Sequence, residues 1–135
     1  MLPSNTIALI VDDDPEICKL LTHYLGNRAT VIDAHDGADA LEKIMTIKPD
    51  VIFLDIGLPG SLSGIVVMRV LRLDPELNHI HIVVVSGREP EDIARSDVLK
   101  ADAFITKPFS RQDLLDWYQA YSGGLAARLP QRAAE

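Results

Sequence analysis

The sequence is poor in cysteine, in aromatic residues and in long hydrophobic runs. Cys18 is the only cysteine among 135 residues, so no disulfide can form within the chain, and this usage is typical of a reducing compartment. No hydrophobic run approaches the roughly 20 residues that a membrane-spanning helix needs. The N-terminal apolar run has no basic start and stops at aspartate, which does not fit a secretory signal peptide. These absences predict a cytoplasmic protein without a membrane segment.

Positive charge is also scarce. Lysine and arginine number 13 against 20 aspartates and glutamates, which gives a net charge of -7. Because nucleic-acid phosphates favour a basic surface, this balance argues against direct binding of DNA or RNA, while it is compatible with a DNA-binding partner. The length and the apolar share of 47% suit one globular domain with a hydrophobic core.

Five short apolar segments alternate with five longer amphipathic segments. The predicted strands are 6–11, 29–34, 51–54, 82–85 and 103–105. Three of them (IALIV, VIFL and IVVV) are continuously apolar, which is typical of strands buried on both faces of a parallel sheet. Because right-handed crossovers place the intervening helices over such a sheet, the pattern predicts an α/β fold with helices on both faces.

Between the strands, apolar residues recur at spacings of three and four, which predicts helices. The first ends at Gly26, the second before Lys48-Pro49, and the third covers 64–73. The fourth, over 91–100, is short, and its predicted apolar contacts are Ile93, Ala94, Val98 and Leu99. We expect a domain over 1–121, followed over 122–135 by a flexible tail or the start of a linker, because that segment has a Gly-Gly break and no long apolar face.

Polar side chains follow four of the five predicted strands. Three adjacent aspartates, Asp12 to Asp14, follow the first strand, and Asp55 follows the third. Ser86 and Lys107 follow the fourth and fifth strands. Ligands of open α/β sheets bind in the crevice at the carboxyl ends of the strands, so we expect these groups to lie around one point.

The three adjacent aspartates are expected to have different roles. Asp14 precedes Pro15, which favours the first position of a helix, so Asp14 is predicted to cap that helix. Two carboxylates about 4 Å apart repel by about 4 kcal/mol at an effective dielectric constant of 20. With Asp55 beside Asp12 and Asp13, the cluster should either raise the pKa of one carboxyl group sharply or hold a hard divalent cation, and Mg²⁺ fits this oxygen-rich set.

The motifs VDDDP, LDIGLP, VVVSG and TKPF, in this order and at these spacings, resemble the receiver domain of two-component response regulators. The resemblance covers about residues 6–121 and implies a flavodoxin-like (βα)5 fold with strand order 2-1-3-4-5. It implies a switch rather than an enzyme, in which Asp55 takes a phosphoryl group from a histidine kinase or a histidine phosphotransfer protein. Such a switch promotes its own phosphorylation and its own slow dephosphorylation.

The resemblance also implies roles for individual residues. Those that would bind Mg²⁺ are Asp12, Asp13, Asp55 and the backbone carbonyl of Gly57. Ser86 would be the switch hydroxyl, Lys107 the cation on the phosphoryl group, and Phe104 the aromatic rotamer switch. The Lys107-Pro108 peptide bond would be cis, which is rare elsewhere. The surface of helix 4, strand 5 and helix 5 would then change to control a partner or output domain, or phosphorylation-dependent self-association.

The sequence departs from the family pattern beside the phosphoacceptor. The segment PGSLSG, residues 59–64, is one residue longer than the usual turn and lacks its aspartate. Gly57 and Arg88 stand at the positions that gate the attacking water in the family. We hypothesise that Arg88 slows hydrolysis by covering the site.

Several single residues attract attention but carry weaker signals. Cys18 is expected to pack within the first helix rather than to react. The four histidines (His23, His35, His79 and His81) are expected to be structural or exposed. For Trp117, the rim of the core and a partner interface are equally good interpretations.

Three alternative interpretations remain at this stage. Phosphatases of the haloacid dehalogenase type also use a strand-end aspartate, Mg²⁺, a hydroxyl and a lysine, but they need a second aspartate where this chain has Gly57. Flavin binding on a flavodoxin-like fold would place a phosphate beside four acidic residues, which would repel it. The chain could also be a receiver fragment of a hybrid histidine kinase.

Overall fold

Five parallel strands form the centre of the computed structural model, which describes residues 6–128. The strands are β1 (Ile7–Val11), β2 (Thr30–Ala34), β3 (Val51–Leu54), β4 (His81–Ser86) and β5 (Ala103–Thr106). They lie in the order β2-β1-β3-β4-β5, and each neighbouring pair is parallel. The predicted fold and strand order are confirmed, and each predicted strand boundary agrees within one residue.

The helices cover both faces of this sheet. They are α1 (Pro15–Leu25), α2 (Gly37–Ile47), α3 (Gly64–Leu73), α4 (Arg95–Val98) and α5 (Arg111–Arg128), with a 3-10 turn (Pro90–Asp92) before α4. α1 and α5 pack on one face, where Leu21 and Leu114 join Ile10 in one core cluster. α2 and α3 pack on the other face, where Ile44 and Val67 join a second cluster.

The alternation of side chains along the inner strands explains their continuous apolar sequence. In β1, Ala8 and Ile10 face the cluster under α1 and α5, whereas Leu9 and Val11 face the cluster under α2 and α3. All four are fully buried. Because both faces of the sheet are covered, no position of the strand can accept a polar side chain cheaply.

The fourth helix differs from its prediction. The expected helix over 91–100 is instead the 3-10 turn and the four-residue α4, because Ile93 and Ala94 between them have extended backbone angles. This extended backbone buries Ile93 in the core, whereas Ala94 is exposed and Leu99 is 70% exposed. The prediction that Ala94 and Leu99 anchor this helix is therefore wrong.

Two arginines of α3 hold α4 and the neighbouring strand ends instead. Arg69 Nε and an Nη donate to the two carboxylate oxygens of Asp97 at 2.9 and 2.8 Å, and Asp97 is buried. Arg72 donates to the carbonyl oxygen of Lys100 at 2.8 Å and to Asp102 Oδ2 at 2.9 Å. Arg69 holds the pKa of Asp97 below its ordinary value, so this carboxylate stays charged.

The last helix runs beyond the expected end of the domain. α5 reaches Arg128 and so includes the first part of the segment expected to be a tail or linker. The rest of that segment, 129–135, lies outside the described residues. None of the helices in the described part of the chain combines the length and apolar character needed to span a membrane.

Candidate functional site

The sheet itself positions the residues that follow its strands. Beyond the paired strands, the backbone N–H of Asp12 donates to Ala34 O at 3.1 Å and that of Asp55 to Val11 O at 2.9 Å. Where β4 and β5 end, the backbone N–H of Lys107 donates to Ser86 O at 2.7 Å in the same way. These hydrogen bonds continue the parallel ladder by one residue, so the site residues share the rigidity of the sheet.

The structure brings three carboxylates and one ammonium group together at this edge. Carboxylate oxygens of Asp12, Asp13 and Asp55 lie within 4.8 Å of one another. Lys107 Nζ lies 2.8 Å from Asp12 Oδ2 and 3.6 Å from Asp55 Oδ2. Asp12 is 2% exposed and Asp55 9% exposed, whereas Asp13 faces solvent. The convergence expected from the strand ends is therefore observed for these four residues.

Burial and the neighbouring charges together shift the pKa of two groups. Burial and then the charge of Asp55 raise the pKa of Asp12, while Lys107 and the N–H of Asp14 partly oppose this shift. Burial lowers the pKa of Lys107, but its ion pairs with Asp12 and Asp55 outweigh burial and leave the pKa raised. Lys107 is thus a cation that forms ion pairs with two of the three carboxylates.

Asp14 has the structural role that its sequence position predicted. Its side chain accepts a hydrogen bond from the N–H of Glu16 at 2.9 Å, and Pro15 is the first residue of α1. The carboxylate set available to a cation is therefore Asp12, Asp13 and Asp55, without Asp14. The capping prediction is confirmed.

A glycine fixes the loop that carries Asp55. A Cβ at Gly64, the first residue of α3, would lie 2.2 Å from the carbonyl oxygen of Asp55 and 2.5 Å from Ile56 Cα. Only glycine lets the start of α3 approach this backbone so closely. Within the loop, the N–H of Gly57 donates to Asp55 Oδ1 at 3.0 Å, which orients the carboxylate.

The remaining predicted site residues lie on β4 and β5 or in the segments that follow these strands. Ser86 is 4% exposed at the end of β4, and its hydroxyl oxygen accepts the N–H of Arg88 at 3.1 Å. The Arg88 guanidinium donates to the carbonyl oxygen of Asp92 at 2.7 Å, so it contacts the 3-10 turn. Phe104 is half-buried against the core under α2 and α3. The Lys107-Pro108 bond is cis, as the resemblance implied.

The two open interpretations of Trp117 are resolved in favour of the core. Trp117 is 7% exposed, and its ring stacks on Tyr121 with centroids 5.0 Å apart and meets Phe53 edge-on at 4.8 Å. Its indole N–H donates to His81 Nε2 at 3.1 Å. His81 is therefore a structural partner of this cluster, as expected for the histidines.

Cys18 packs in the core as expected, but its surroundings were not foreseen. It is 3% exposed, and its sulfur lies 3.6 Å from the carbonyl oxygen of Asp12. A ligand atom of Cys18 lies within 4.8 Å of those of Asp33 and His35. No spacing motif links these three residues, because they meet only when α1 packs beside the end of β2.

Comparison with known proteins finds a shared domain family. The sequence profile of the response regulator receiver domain matches residues 8–119. The alkaline phosphatase synthesis transcriptional regulatory protein PhoP of Bacillus subtilis is 38% identical over 111 residues, which cover 82% of this chain and 45% of that protein. The hybrid signal transduction histidine kinase D of Dictyostelium discoideum is 31% identical over 114 residues, 83% of this chain and 7% of that kinase.

Solved structures agree with this assignment. The chemotaxis response regulator CheY4 of Vibrio cholerae superposes with a TM-score of 0.77 at 26% identity, covering 86% of this chain and 98% of that one. The chain spans less than half the length of the curated relatives described above. The profile match covers all four motifs and the strand ends that carry the clustered charges, and on this evidence the chain belongs to the family of response regulator receiver domains.

Proposed function

We propose that this receiver domain is a phosphorylation-dependent signalling switch in which Asp55 accepts a phosphoryl group from a phosphohistidine. The donor would be a histidine kinase or a histidine phosphotransfer protein in the cytoplasm. The observation that carries the proposal is the cluster of Asp12, Asp13 and Asp55 oxygens within 4.8 Å of one another, with Lys107 Nζ beside two of them. Such a site combines a nucleophile with the charges that an anionic phosphoryl group requires.

The donor set fits Mg²⁺. All the available side-chain ligands are carboxylate oxygens, which a hard cation prefers, and Asp13 leaves the set open to solvent, which suits an ion that keeps several waters. Asp12, Asp13 and Asp55 would hold the ion, with the backbone carbonyl of Gly57 as a further ligand. When bound, Mg²⁺ would neutralise negative charge on the phosphoryl oxygens.

The chain's own groups would then carry the transfer. An oxygen of Asp55 would attack phosphorus, the phosphorus–nitrogen bond of the phosphohistidine would break, and the leaving imidazole would take a proton from solvent. Lys107, already held by Asp12 at 2.8 Å, would contact the transferred group without a costly reorientation. The resulting phosphoaspartate offers three acceptor oxygens.

The new acceptor oxygens would draw Ser86 toward the site. The Ser86 hydroxyl would donate to the phosphoryl group and exchange its present contact with the N–H of Arg88. Phe104 is half-buried on β5, two residues before Thr106, the register partner of Ser86, and it would change rotamer into the space that this movement opens. The loop after Ser86 leads into the 3-10 turn and the short α4, so the movement would alter the surface of α4, β5 and α5.

The lifetime of the phosphoryl group would depend on the residues at positions 57 and 88. Gly57 has no side chain to shield Asp55. Arg88 would slow hydrolysis if its guanidinium left Asp92 and covered the phosphoryl group. In the Arg88→Ala variant the phosphoryl half-life would then shorten, and an unchanged half-life would contradict this role.

The output belongs to a partner rather than to this domain. The altered surface would control an output domain, a separate protein or a second phosphorylated copy of the chain. The relatives include both a transcriptional regulatory protein and a hybrid kinase, so a receiver segment of a hybrid kinase is the second context in which the same switch would work.

The direct test is the intact mass of the protein after incubation with Mg²⁺ and acetyl phosphate or phosphoramidate. We expect one added phosphoryl group, absent in Asp55→Asn and strongly reduced in Asp13→Asn. The matched control is Asp14→Asn, which changes a carboxylate in the same loop but keeps a helix-capping side chain. This control should be phosphorylated like the wild type.

Two results would contradict the proposal. One is phosphorylation that persists in Asp55→Asn. The other is steady turnover of a small phosphate ester without a stable adduct, which would instead favour a Mg²⁺-dependent aspartate phosphohydrolase.

A further inference from the structure

A second group of potential ligands lies behind the acidic cluster. Cys18 of α1, Asp33 of β2 and His35, which follows β2, place a sulfur, a carboxylate oxygen and a ring nitrogen within 4.8 Å of one another. The three line a pocket of about 380 Å³ together with other residues of α1. Cys18 is almost fully buried at the wall of this pocket, whereas Asp33 and His35 are exposed.

A hydrogen bond of His35 determines which of its ring nitrogens can bind a metal ion. Its Nδ1 lies 3.1 Å from the carbonyl oxygen of Asp12, and a carbonyl oxygen can only accept, so Nδ1 carries the proton. In the neutral ring Nε2 then keeps its lone pair, and this atom lies 3.7 Å from Asp33 Oδ2. A histidine whose other nitrogen donates to a backbone carbonyl is the usual arrangement at metal sites.

The charge beside Cys18 also suits a cation, because a carboxylate oxygen of Asp33 lies within 4.8 Å of the sulfur. The ligand types are those of Zn²⁺, which binds cysteine, histidine and carboxylate in four-coordinate sites. Around such an ion the ligand atoms would lie roughly 3.3–3.8 Å apart. Rotation of the exposed Asp33 and His35 side chains that moves their ligand atoms by about 1 Å would bring them to this separation.

We propose that Cys18, Asp33 and His35 form a binding site for a thiophilic divalent cation, with Zn²⁺ as the ion that matches the donor set. Binding would break the S–H bond of Cys18, release that proton to solvent and form a metal–sulfur bond. His35 would bind through Nε2 and Asp33 through one oxygen, and water would occupy the fourth position. The site is separate from Asp55 and does not depend on the function proposed above.

The experiment measures Zn²⁺ and Co²⁺ binding to the whole chain with Mg²⁺ in excess, so that the acidic cluster is occupied. We expect one Zn²⁺ per chain in competition with a chromophoric chelator, with about one proton released per ion. Co²⁺ should give a thiolate-to-metal charge-transfer band in the near ultraviolet. The Asp55→Asn variant should bind Zn²⁺ like the wild type, which separates this site from the phosphorylation proposal.

Cys18→Ser and His35→Gln should each weaken Zn²⁺ binding at least about tenfold, the effect expected for loss of a ligand or its support. His35 is exposed, so its variant should fold even if the buried Cys18→Ser variant loses stability; circular dichroism and thermal melting check both. His79→Gln is the matched control, because His79 is exposed and outside the group.

The proposal is overturned if both variants bind Zn²⁺ as tightly as the wild type, or if Co²⁺ gives no thiolate band. It is also overturned if Asp13→Asn abolishes binding while Cys18→Ser does not, since the ion would then occupy the acidic cluster.

Discussion

At the scale of single residues, the acidic cluster shows how a sheet tolerates repulsive charges. Asp12 is buried beside two other carboxylates, and its contacts with Lys107 and the N–H of Asp14 compensate only in part, because its pKa remains raised. A bound cation would therefore reduce the remaining repulsion among the carboxylates. Binding it would exchange repulsion for attraction at each carboxylate.

The raised pKa of Asp12 predicts how Mg²⁺ binding depends on pH. A protonated carboxyl group is a poor metal ligand, so Mg²⁺ affinity should fall as the pH drops through the raised pKa of Asp12. The fall should begin at a higher pH than for a carboxylate with an ordinary pKa. Thermal melts with and without Mg²⁺ over this pH range measure it, with a stabilisation of about 2.7 kcal/mol where Mg²⁺ is 100 times its Kd.

The control for this prediction is Asp13→Asn, in which Mg²⁺ should stabilise the protein far less at every pH. An affinity that falls only in the ordinary aspartate range would show that Asp12 is not the limiting ligand.

Gly64 gives a second prediction at this scale. In Gly64→Ala the new methyl group would collide with the backbone of Asp55 and Ile56, which cannot rotate away as a side chain could. We expect a loss of about 1–3 kcal/mol in unfolding free energy, as in overpacked cores, together with slower phosphorylation of Asp55. Chemical denaturation and intact mass measure the two effects.

Gly87→Ala is the control for Gly64→Ala, since a Cβ at Gly87 meets nothing within 4 Å. It should retain wild-type stability. An equal loss in both variants would mean that the close approach to Asp55 is not the cause.

At the scale of elements, α4 depends on electrostatic contacts more than on an apolar face. Its four residues make few apolar contacts of their own, and the ion pair between Asp97 and Arg69 of α3 holds it in place. A short helix of this kind can shift at low cost. The same property suits it to the moving part of a switch.

We expect Asp97→Asn to loosen α4 without unfolding the sheet. Hydrogen exchange of the amides of 95–101 should accelerate, while that of β1 and β3 stays slow. Because the pKa of Asp97 is lowered, the pair stabilises the fold above the ordinary aspartate pKa and this contribution is lost as the pH falls through the lowered value. The stability difference between the wild type and Asp97→Asn should therefore shrink on acidification.

The control here is Asp116→Asn on the exposed side of α5, where the carboxylate contacts only Gln112 among the hydrogen bonds described. Equal exchange rates in α4 for the wild type and Asp97→Asn would exclude the ion pair as its main anchor.

The start of the first helix separates a capping aspartate from those of the acidic cluster. Replacement Asp14→Ala removes the cap of α1 and should cost about 0.5–2 kcal/mol of unfolding free energy, measured by denaturation. Mg²⁺ affinity should remain close to that of the wild type, because Asp14 is not in the carboxylate set. A large loss of Mg²⁺ affinity would place Asp14 among the ligands.

At the scale of the whole molecule, the packing of α5 defines how far the domain must extend. Over residues 111–122, where the burial of its side chains is described, the buried residues of α5 are Leu114, Trp117, Tyr121 and Ser122. A chain that ends after Gly124 keeps all four. We expect its unfolding free energy to lie within about 1 kcal/mol of the full chain, whereas Trp117→Ala should lose about 3–5 kcal/mol.

Thermal and chemical denaturation of the shortened chain test the expected division at residue 121. A loss of several kcal/mol on shortening would mean that 125–135 belong to the folded domain rather than to a tail or linker.

The sequence by itself determined the fold and most of the acidic site. Continuous apolar strands alternating with amphipathic helices require a buried parallel sheet, and the carboxyl ends of parallel strands share one edge. Asp12, Asp13, Asp55 and Lys107 follow those strands directly, so their convergence could be predicted. The cap at Asp14 could be predicted for a similar reason, since it depends only on its immediate neighbours.

Only the tertiary structure decided features that depend on contacts between distant segments. These features include the break in helix 4 and the burial of Asp97 against Arg69. They also include the placement of Trp117 in the core and the proximity of Cys18 to Asp33 and His35. Periodicity reports which face of an element is apolar, but not which side chain of another element completes it. That choice is made by packing, when the helices close over the sheet.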